Sequence, residues 1–230
     1  HPTPMSDVEF PFLFDVGGSA MPPVIPSLEG AIPRMQFGKI FECPHPCGLL
    51  PSYNPDAKTP IINGGIPQLA NLTLHLDTLN QTFEKFIEVN DSRWIDLDFE
   101  SWNPVWERNS ADGYTHNASI ELVLQQHPTW TNKTQIEAEA KAQFEAAAGS
   151  LLIETVQFTR HLRPLLKIGM YGFPTRYYWN GYNSTDGDLL RAQNDGLYAL
   201  WCELDGLFPS VYQFYNSCNA SSPTVRINNE

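Results

Sequence analysis

Residues 94–104 read WIDLDFESWNP, and this stretch indicates both the fold class and the chemistry. Asp96, Asp98 and Glu100 alternate with apolar residues, which predicts a short buried strand with all three carboxylates on one face. In a parallel barrel that face points inward, and the carboxyl end of the strand opens on the active-site mouth. Repulsion and poor hydration should raise the pKa of one carboxyl, and Glu100, nearest the mouth, is the candidate general acid. The flanking aromatic and aliphatic residues disfavour the alternative of a solvated strand edge.

The sequence on either side alternates between strand and helix patterns. Toward the amino terminus we expect a strand over residues 11–16, mostly loop over 22–60, and a helix over 72–89. Toward the carboxyl terminus we expect a helix over 138–162, capped by Thr134 and stopped by Pro164, then a strand over 167–174, a helix over 188–205 and a strand over 207–214. Such alternation predicts βα units around a parallel sheet.

Two tyrosines occupy corresponding places on the later strands. Tyr171 and Tyr212 each lie near the carboxyl end of a predicted strand. A single tyrosine at such a place is more often a packed residue with a bonded hydroxyl. Because these two converge on the same mouth as the carboxylates, we interpret them as part of a sugar-binding site.

Composition restricts the partners and the compartment. The net charge of −12 argues against nucleic acid as a partner, and no apolar run is long enough to span a membrane. Seven N-glycosylation sequons predict a secreted or lysosomal glycoprotein with N-linked glycans. They begin at Asn71, Asn80, Asn90, Asn117, Asn132, Asn183 and Asn219.

The four cysteines fit a secreted protein with disulfide bonds. Cys43 and Cys47 lie in a proline-rich loop, where a disulfide is favoured over a metal site that would also use His45. Cys202 and Cys218 are the remaining disulfide candidates. The sequence shows no second ligand cluster, so no metal site is predicted.

Seven short motifs, in order and with similar spacing, resemble the hyaluronidases of glycoside hydrolase family 56. They cover roughly residues 60 to 215. The motifs are NGGIPQ (63–68), DFESWNP (98–104), QHPTW (126–130), LRP (162–164), YGFP (171–174), QND (193–195) and PSVY (209–212). The resemblance implies an α/β protein with a TIM-like (β/α) barrel. We therefore expect residues 1–230 to form one domain, with a divergent segment 1–60 and a catalytic core 61–215.

The resemblance also implies a reaction, namely retaining cleavage of β-linked N-acetylhexosamine bonds in hyaluronan or chondroitin. Glu100 would protonate the leaving oxygen and then activate water, while the acetamide oxygen of the sugar acts as nucleophile. Asp98 would orient that acetamide, and Tyr171 and Tyr212 would hold it and the distorted ring. Asp96, Trp102 and Asn103 are further candidate substrate contacts. No metal or organic cofactor is required.

Several features depart from the family pattern. Asn103 stands where the family has arginine, and Asp96 where it has an apolar residue. A whole barrel takes about 250 residues, so we expect a barrel that is incomplete at its C-terminus and lacks the late strand with the family's active-site tryptophan. A second chain that completes the barrel is one possible consequence.

Two other functions remain open. The DLDFE run at residues 96–100 also resembles the D-x-D-x-E strand of family 18 chitinases, which would change the polymer to chitin. A catalytically weak or inactive scaffold with a binding, storage or structural role is the other alternative. Asn103, the acidic charge and the short chain favour this alternative, whereas the intact carboxylate pair favours an enzyme.

Overall fold

The computed structural model describes residues 13–15, 36–38, 40–44, 46–111, 113–174 and 185–209. These residues form strands and helices that alternate along most of the chain. The strands are β1 (Leu13–Asp15), β2 (Gln36–Gly38), β3 (Ile40–Glu42), β4 (Ser52–Tyr53), β5 (Ile61–Ile62), β6 (Trp94–Asp96) and β7 (Lys167–Gly169). The helices are α1 (Leu72–Phe86), α2 (Tyr114–Gln126), α3 (Lys133–Leu162), α4 (Thr185–Asp195) and α5 (Tyr198–Trp201).

A three-stranded parallel sheet lies at the centre, in the order β3-β6-β7. The central residues of the three strands, Phe41, Ile95 and Ile168, are in register. Helix α1 connects β3 to β6, and helices α2 and α3 connect β6 to β7. Tyr171 then forms a parallel bridge with Phe208, beyond α5, so strand pairing continues in chain order. The predicted parallel α/β architecture is therefore present in the described residues.

Short elements account for most of the errors in the sequence-based prediction. The segment expected to be mostly loop contains β3, which forms one edge of the central sheet. Three residues are too few to show a period, and Pro44 follows directly. Helix α2 was also missed, since its apolar residues form no clear stripe. The helix expected over 188–205 is divided by Gly196 into α4 and α5. Strand β1 (Leu13–Asp15) lies within the predicted strand 11–16, whereas the predicted strand 207–214 falls largely outside the described residues.

Asparagine side chains cap the two principal helices. Asn132 Oδ1 accepts a hydrogen bond from the Gln135 amide at the start of α3, so the predicted cap at Thr134 is wrong. Asn71 Oδ1 accepts from the Leu74 amide at the start of α1. Asparagine is among the best capping residues, because its short side chain satisfies an amide of the first helical turn.

Helix α3 supplies much of the hydrophobic core. Its buried residues include Ile136, Ala140, Phe144, Ala148, Leu151, Leu152 and Val156, at helical spacing. Phe144 is fully buried and makes edge contacts with Trp102 and Trp106. The long helix therefore supports the loop that follows the acidic stretch, as well as the sheet.

The NGG motif at residues 63–65 forms a tight turn between β5 and helix α1. Asn63, Gly64 and Gly65 all have positive φ, at 44°, 83° and 79°. The Asn63 side chain donates to the Leu49 carbonyl at 2.6 Å and accepts from the Asn71 amide at 2.8 Å. Glycine adopts this left-handed backbone without steric cost, and asparagine tolerates it better than most residues.

His75 is a buried neutral histidine that joins α1, α3 and the loop after β3. Its Nδ1 accepts from the Leu49 amide at 2.8 Å, and its Nε2 donates to Thr155 Oγ1 at 2.9 Å. Thr155 in turn donates to the Leu151 carbonyl, which fixes the direction of this bond. Gly48 packs against the ring so closely that a Cβ there would lie 2.4 Å from Cε1. Burial lowers the pKa of His75 from 6.5 to about 4.

We expect the buried neutral His75 to make the folded chain less stable as the pH falls below 6.5. The unfolded chain takes up a proton near pH 6.5 and the folded chain only near pH 4, so stability is complete above pH 6.5 and falls as the pH drops between the two values. At about 1.4 kcal/mol per pKa unit, the contribution is about 3 kcal/mol.

Urea unfolding across this pH range tests the assignment. His75→Gln should flatten the dependence of the unfolding free energy on pH, while the exposed His161→Gln should leave it as in the wild type. Equal slopes in the wild type and His75→Gln would contradict it.

Candidate active site

The acidic stretch leaves the sheet earlier than its alternation predicts. Strand β6 ends at Asp96, and one further ladder bond joins the Leu97 amide to the Gly169 carbonyl at 3.0 Å. Ile95 and Leu97 are buried, whereas Asp98 and Glu100 are exposed, so the expected burial of these two carboxylates is not observed. The apolar residues of the alternation anchor the strand, and the two acids lie just beyond its carboxyl end.

Asp98 is the carboxyl group of this stretch whose pKa is raised. Although the residue is exposed by surface area, neighbouring protein atoms still partly desolvate its carboxyl group, and this desolvation is the largest cause of the shift. The negative charges of Glu100 and Glu42 follow. Poor hydration and charge repulsion thus raise a pKa in the acidic stretch, but at Asp98. The sequence pattern predicts such a shift at the general acid, for which Glu100 is the candidate. Glu100 therefore lies close enough to Asp98 for the two carboxyl groups to interact electrostatically.

Glu42 is a site residue that sequence reasoning missed. It ends β3 and is in register with Asp96 on the neighbouring strand. The Cys43 amide donates to the Asp96 carbonyl at 2.9 Å, which continues the β3–β6 pairing past Glu42. In the sequence, Glu42 directly follows the apolar pair Ile40-Phe41. This pattern points to a site residue only once β3 is recognised as a strand.

Trp102 and Asn103 hold the loop after the acidic pair. Trp102 is buried and donates its indole N–H to the Pro51 carbonyl at 2.7 Å. The Asn103 amide donates to Asn109 Oδ1, and its own Oδ1 accepts from the Val105 amide. Both predicted substrate contacts thus lie next to the carboxylates in the sequence, and their hydrogen bonds shape the loop.

The end of this loop is fixed against helices α2 and α3. The Trp106 amide donates to Glu145 Oε1 at 3.0 Å, and its carbonyl accepts from His116 Nε2 at 2.9 Å. The rings of Trp106 and His116 stack with centroids 3.7 Å apart. Lys141 forms an ion pair with Glu107 on the same turn. Rigid support of this kind keeps the loop, and the carboxylates before it, in one position.

Tyr171 lies just beyond the carboxyl end of β7, the strand that pairs with β6. It is partly buried, and its amide donates to Asp96 Oδ1 at 2.8 Å. The following amide, that of Gly172, donates to the Phe208 carbonyl at 2.9 Å. The structure therefore places Tyr171 beside the acidic strand, whereas Tyr212 lies outside the described residues.

The remaining predicted features are surface residues and cysteines. Asn71, Asn90, Asn117 and Asn132 are exposed and Asn80 is partly buried, while Asn183 and Asn219 lie outside the described residues. Cys43 and Cys47 form the expected disulfide, with Cα atoms 5.5 Å apart. Cys202 is exposed and forms no disulfide within the described part of the chain, and Cys218 lies beyond it.

The described residues contain neither a candidate metal-binding cluster nor a candidate membrane-spanning helix. No group of three His, Cys, Asp or Glu side chains there is placed to hold a metal ion. Among the described helices, none has both the length and the apolar character that crossing a membrane requires.

A parallel βα sheet with paired carboxylates at its carboxyl edge is an arrangement typical of glycoside hydrolases. Comparison with known proteins makes the class specific. The family described as Hyaluronidase, glycoside hydrolase family 56, matches residues 40–226 of this chain. The chain belongs to this family.

Individual relatives give the extent of the similarity. Hyaluronidase-2 of Rattus norvegicus is 36% identical over 174 residues, which are 72% of this chain and 36% of the rat protein. A hyaluronidase of Polybia paulista is 36% identical over 154 residues, covering 65% of this chain and 53% of that protein. The crystal structure of bee venom hyaluronidase in complex with a hyaluronic acid tetramer matches with a TM-score of 0.71 and 27% identity, covering 83% of this chain and 59% of that chain. The chain thus spans between 36% and 53% of the length of these two curated relatives.

Proposed function

We propose that this chain is a hyaluronidase-type glycosidase that cleaves β-linked N-acetylhexosamine bonds in hyaluronan or chondroitin. The observation that carries the proposal is the Asp98 and Glu100 pair, which lies just beyond the carboxyl end of β6 inside the region that matches the family. The solved relative that binds a hyaluronic acid tetramer supports a glycosaminoglycan as the substrate. On this proposal the sheet is part of a TIM-like barrel in one domain spanning residues 1–230.

The proposed mechanism is the one that the resemblance to family 56 implies. Glu100, farther beyond the strand end and exposed, protonates the departing glycosidic oxygen and afterwards takes a proton from water. The substrate's acetamide oxygen attacks the anomeric carbon, so that a positive charge forms on the acetamide. Ionised Asp98 orients that group and stabilises its charge. Tyr171 and Tyr212 hold the acetamide and the sugar ring.

Surface features fit a secreted or lysosomal glycoprotein. The Cys43–Cys47 disulfide suits an oxidising compartment. Asn71 and Asn132 cap helices through Oδ1, whereas an N-linked glycan is attached at Nδ2, so capping and glycosylation are compatible. We propose that the exposed sequons carry glycans, which the intact mass of native material would reveal.

A comparison of three polymers tests the function. The native chain is incubated with hyaluronan, chondroitin and chitin oligosaccharides from about pH 4 to about pH 7, and new reducing ends are counted. We expect cleavage of hyaluronan or chondroitin. Cleavage of chitin alone would support the chitinase-like alternative. Binding without cleavage of any polymer would support the inactive scaffold.

The charge of Glu42 should contribute to the position of the acidic limb of the pH profile. Because this charge raises the pKa of Asp98, and Asp98 acts in its ionised form, removing the charge lets Asp98 ionise at lower pH. Glu42→Gln should therefore shift the acidic limb of kcat/KM to lower pH. Glu88→Gln, which removes an exposed charge at the opposite end of β6, is the matched control. An unmoved limb, or a shift to higher pH, would overturn the role of Glu42.

A further inference from the structure

Asp96 makes a contact that neither the family pattern nor the proposed reaction requires. Its carbonyl takes part in the β3–β6 pairing through Cys43, while its side chain reaches toward the neighbouring strand. There Oδ1 accepts a hydrogen bond from the Tyr171 amide at 2.8 Å. The side chain is only partly exposed, so water competes weakly for this bond.

The bond lies where regular pairing between β6 and β7 ends. Asp96 is in register with Gly169, and the Leu97 amide donates to the Gly169 carbonyl. Two residues after Gly169, beyond the end of β7, the Tyr171 amide donates a hydrogen bond to the Asp96 carboxylate. The side chain thereby extends the strand pairing by one hydrogen bond, up to the residue that bears the candidate sugar-binding phenol.

Tyr171 is held from two sides. On one side lies Asp96, and on the other Tyr171 bridges Phe208, whose carbonyl accepts from the Gly172 amide. Phe208 leads directly into the PSVY segment that ends at Tyr212. One short run of contacts therefore joins the acidic strand, Tyr171 and Phe208, which directly precedes that segment in the sequence.

We propose that Asp96 is a positioning residue: it fixes the backbone of Tyr171, and through it the phenol, relative to Asp98 and Glu100. This inference rests on the proposed function for its catalytic consequence. It assigns Asp96 an indirect role, in place of the direct substrate contact expected from sequence. An apolar residue at this position offers no acceptor to the Tyr171 amide. The position of Tyr171 can therefore depend on a carboxyl oxygen only in chains that have an acid here.

Two substitutions separate the hydrogen bond from the charge. Asp96→Asn keeps an acceptor oxygen of the same reach, whereas Asp96→Leu removes the acceptor at similar size. Misplacing a substrate-binding group by about 1 Å can cost about 100-fold in rate. We therefore expect Asp96→Leu to lower kcat about 100-fold and Asp96→Asn to restore it to within about 3-fold of wild type.

A double-mutant cycle tests whether the effect passes through Tyr171. The variant that combines Asp96→Leu with Tyr171→Phe should be no slower than the slower single variant, because both changes remove the same interaction. Multiplied losses, or equal losses in Asp96→Asn and Asp96→Leu, would overturn the proposal. Thermal unfolding of every variant shows whether a loss reflects unfolding.

Amide hydrogen exchange provides a readout that does not depend on activity. Exchange in peptides covering residues 168–173 should accelerate in Asp96→Leu and stay near the wild-type rate in Asp96→Asn, with exchange in α3 unchanged as an internal control. Unchanged exchange in Asp96→Leu would refute the positioning role even in an active enzyme. If the wild type cleaves no polymer, the proposed function fails, and the exchange result alone decides whether Asp96 positions Tyr171.

Discussion

Glu100→Gln should leave the protein folded and reduce kcat on hyaluronan about 1,000-fold, because glutamine has no proton to transfer to the leaving oxygen. Glu100 is exposed and follows the strand, so its amide analogue disturbs no buried contact. KM should change little, since the side chain acts mainly in the transition state. Steady-state kinetics of the purified variant gives kcat and KM, and circular dichroism shows whether it is folded.

The matched control is Glu137→Gln, which changes an exposed glutamate on α3 to the same residue. It should retain wild-type kcat. If Glu100→Gln also turns over at the wild-type rate, another group is the acid, and the assignment made from the order of the acidic stretch is wrong.

Phe144→Ala should have the largest effect on stability of any substitution considered. The side chain is fully buried and contacts the rings of Trp102 and Trp106. Truncating a buried phenylalanine removes its hydrophobic contribution and leaves a cavity, which together cost about 4 kcal/mol. Urea unfolding should show a lower midpoint with an unchanged m value.

Phe86→Ala is the control for this loss, because Phe86 is 46% exposed at the end of α1. Its cost should stay below about 1 kcal/mol. Equal losses of unfolding free energy in the two variants would mean that the buried residues of α3 do not stabilise the fold as their burial implies. Phe144→Leu should recover part of the stability, since leucine fills more of the space than alanine.

The sequence was most informative where side-chain patterns are long or chemically unusual. The acids at 96, 98 and 100 indicated the correct strand. Apolar spacing located α1, and a long run before Pro164 that is almost free of proline and glycine located α3. The Cys43–Cys47 disulfide followed from two cysteines in one short loop. Each of these features depends on residues close in sequence, so their physical constraints are local.

Features that depend on tertiary contacts could not be predicted from the sequence. Strand β3 is a strand because β6 pairs with it, and Glu42 joins the site only through that pairing. Asp96 contacts Tyr171, which is 75 residues away along the chain. The buried indole of Trp102 donates to the Pro51 carbonyl and packs against Phe144 of α3, two contacts that its position in the sequence does not indicate. Alternation predicted Asp98 and Glu100 inside a strand, but regular pairing stops at Asp96.

The most direct test of the central claim is the configuration of the first product. A hyaluronan octasaccharide is cleaved by the native chain while proton NMR follows the new reducing end, before its anomers equilibrate. Acetamide-assisted cleavage by Asp98 and Glu100 predicts that the β-anomer of the N-acetylhexosamine appears first. An α-anomer appearing first would contradict the retaining mechanism, and an uncleaved octasaccharide at every pH would contradict the assignment of this chain as a hyaluronidase.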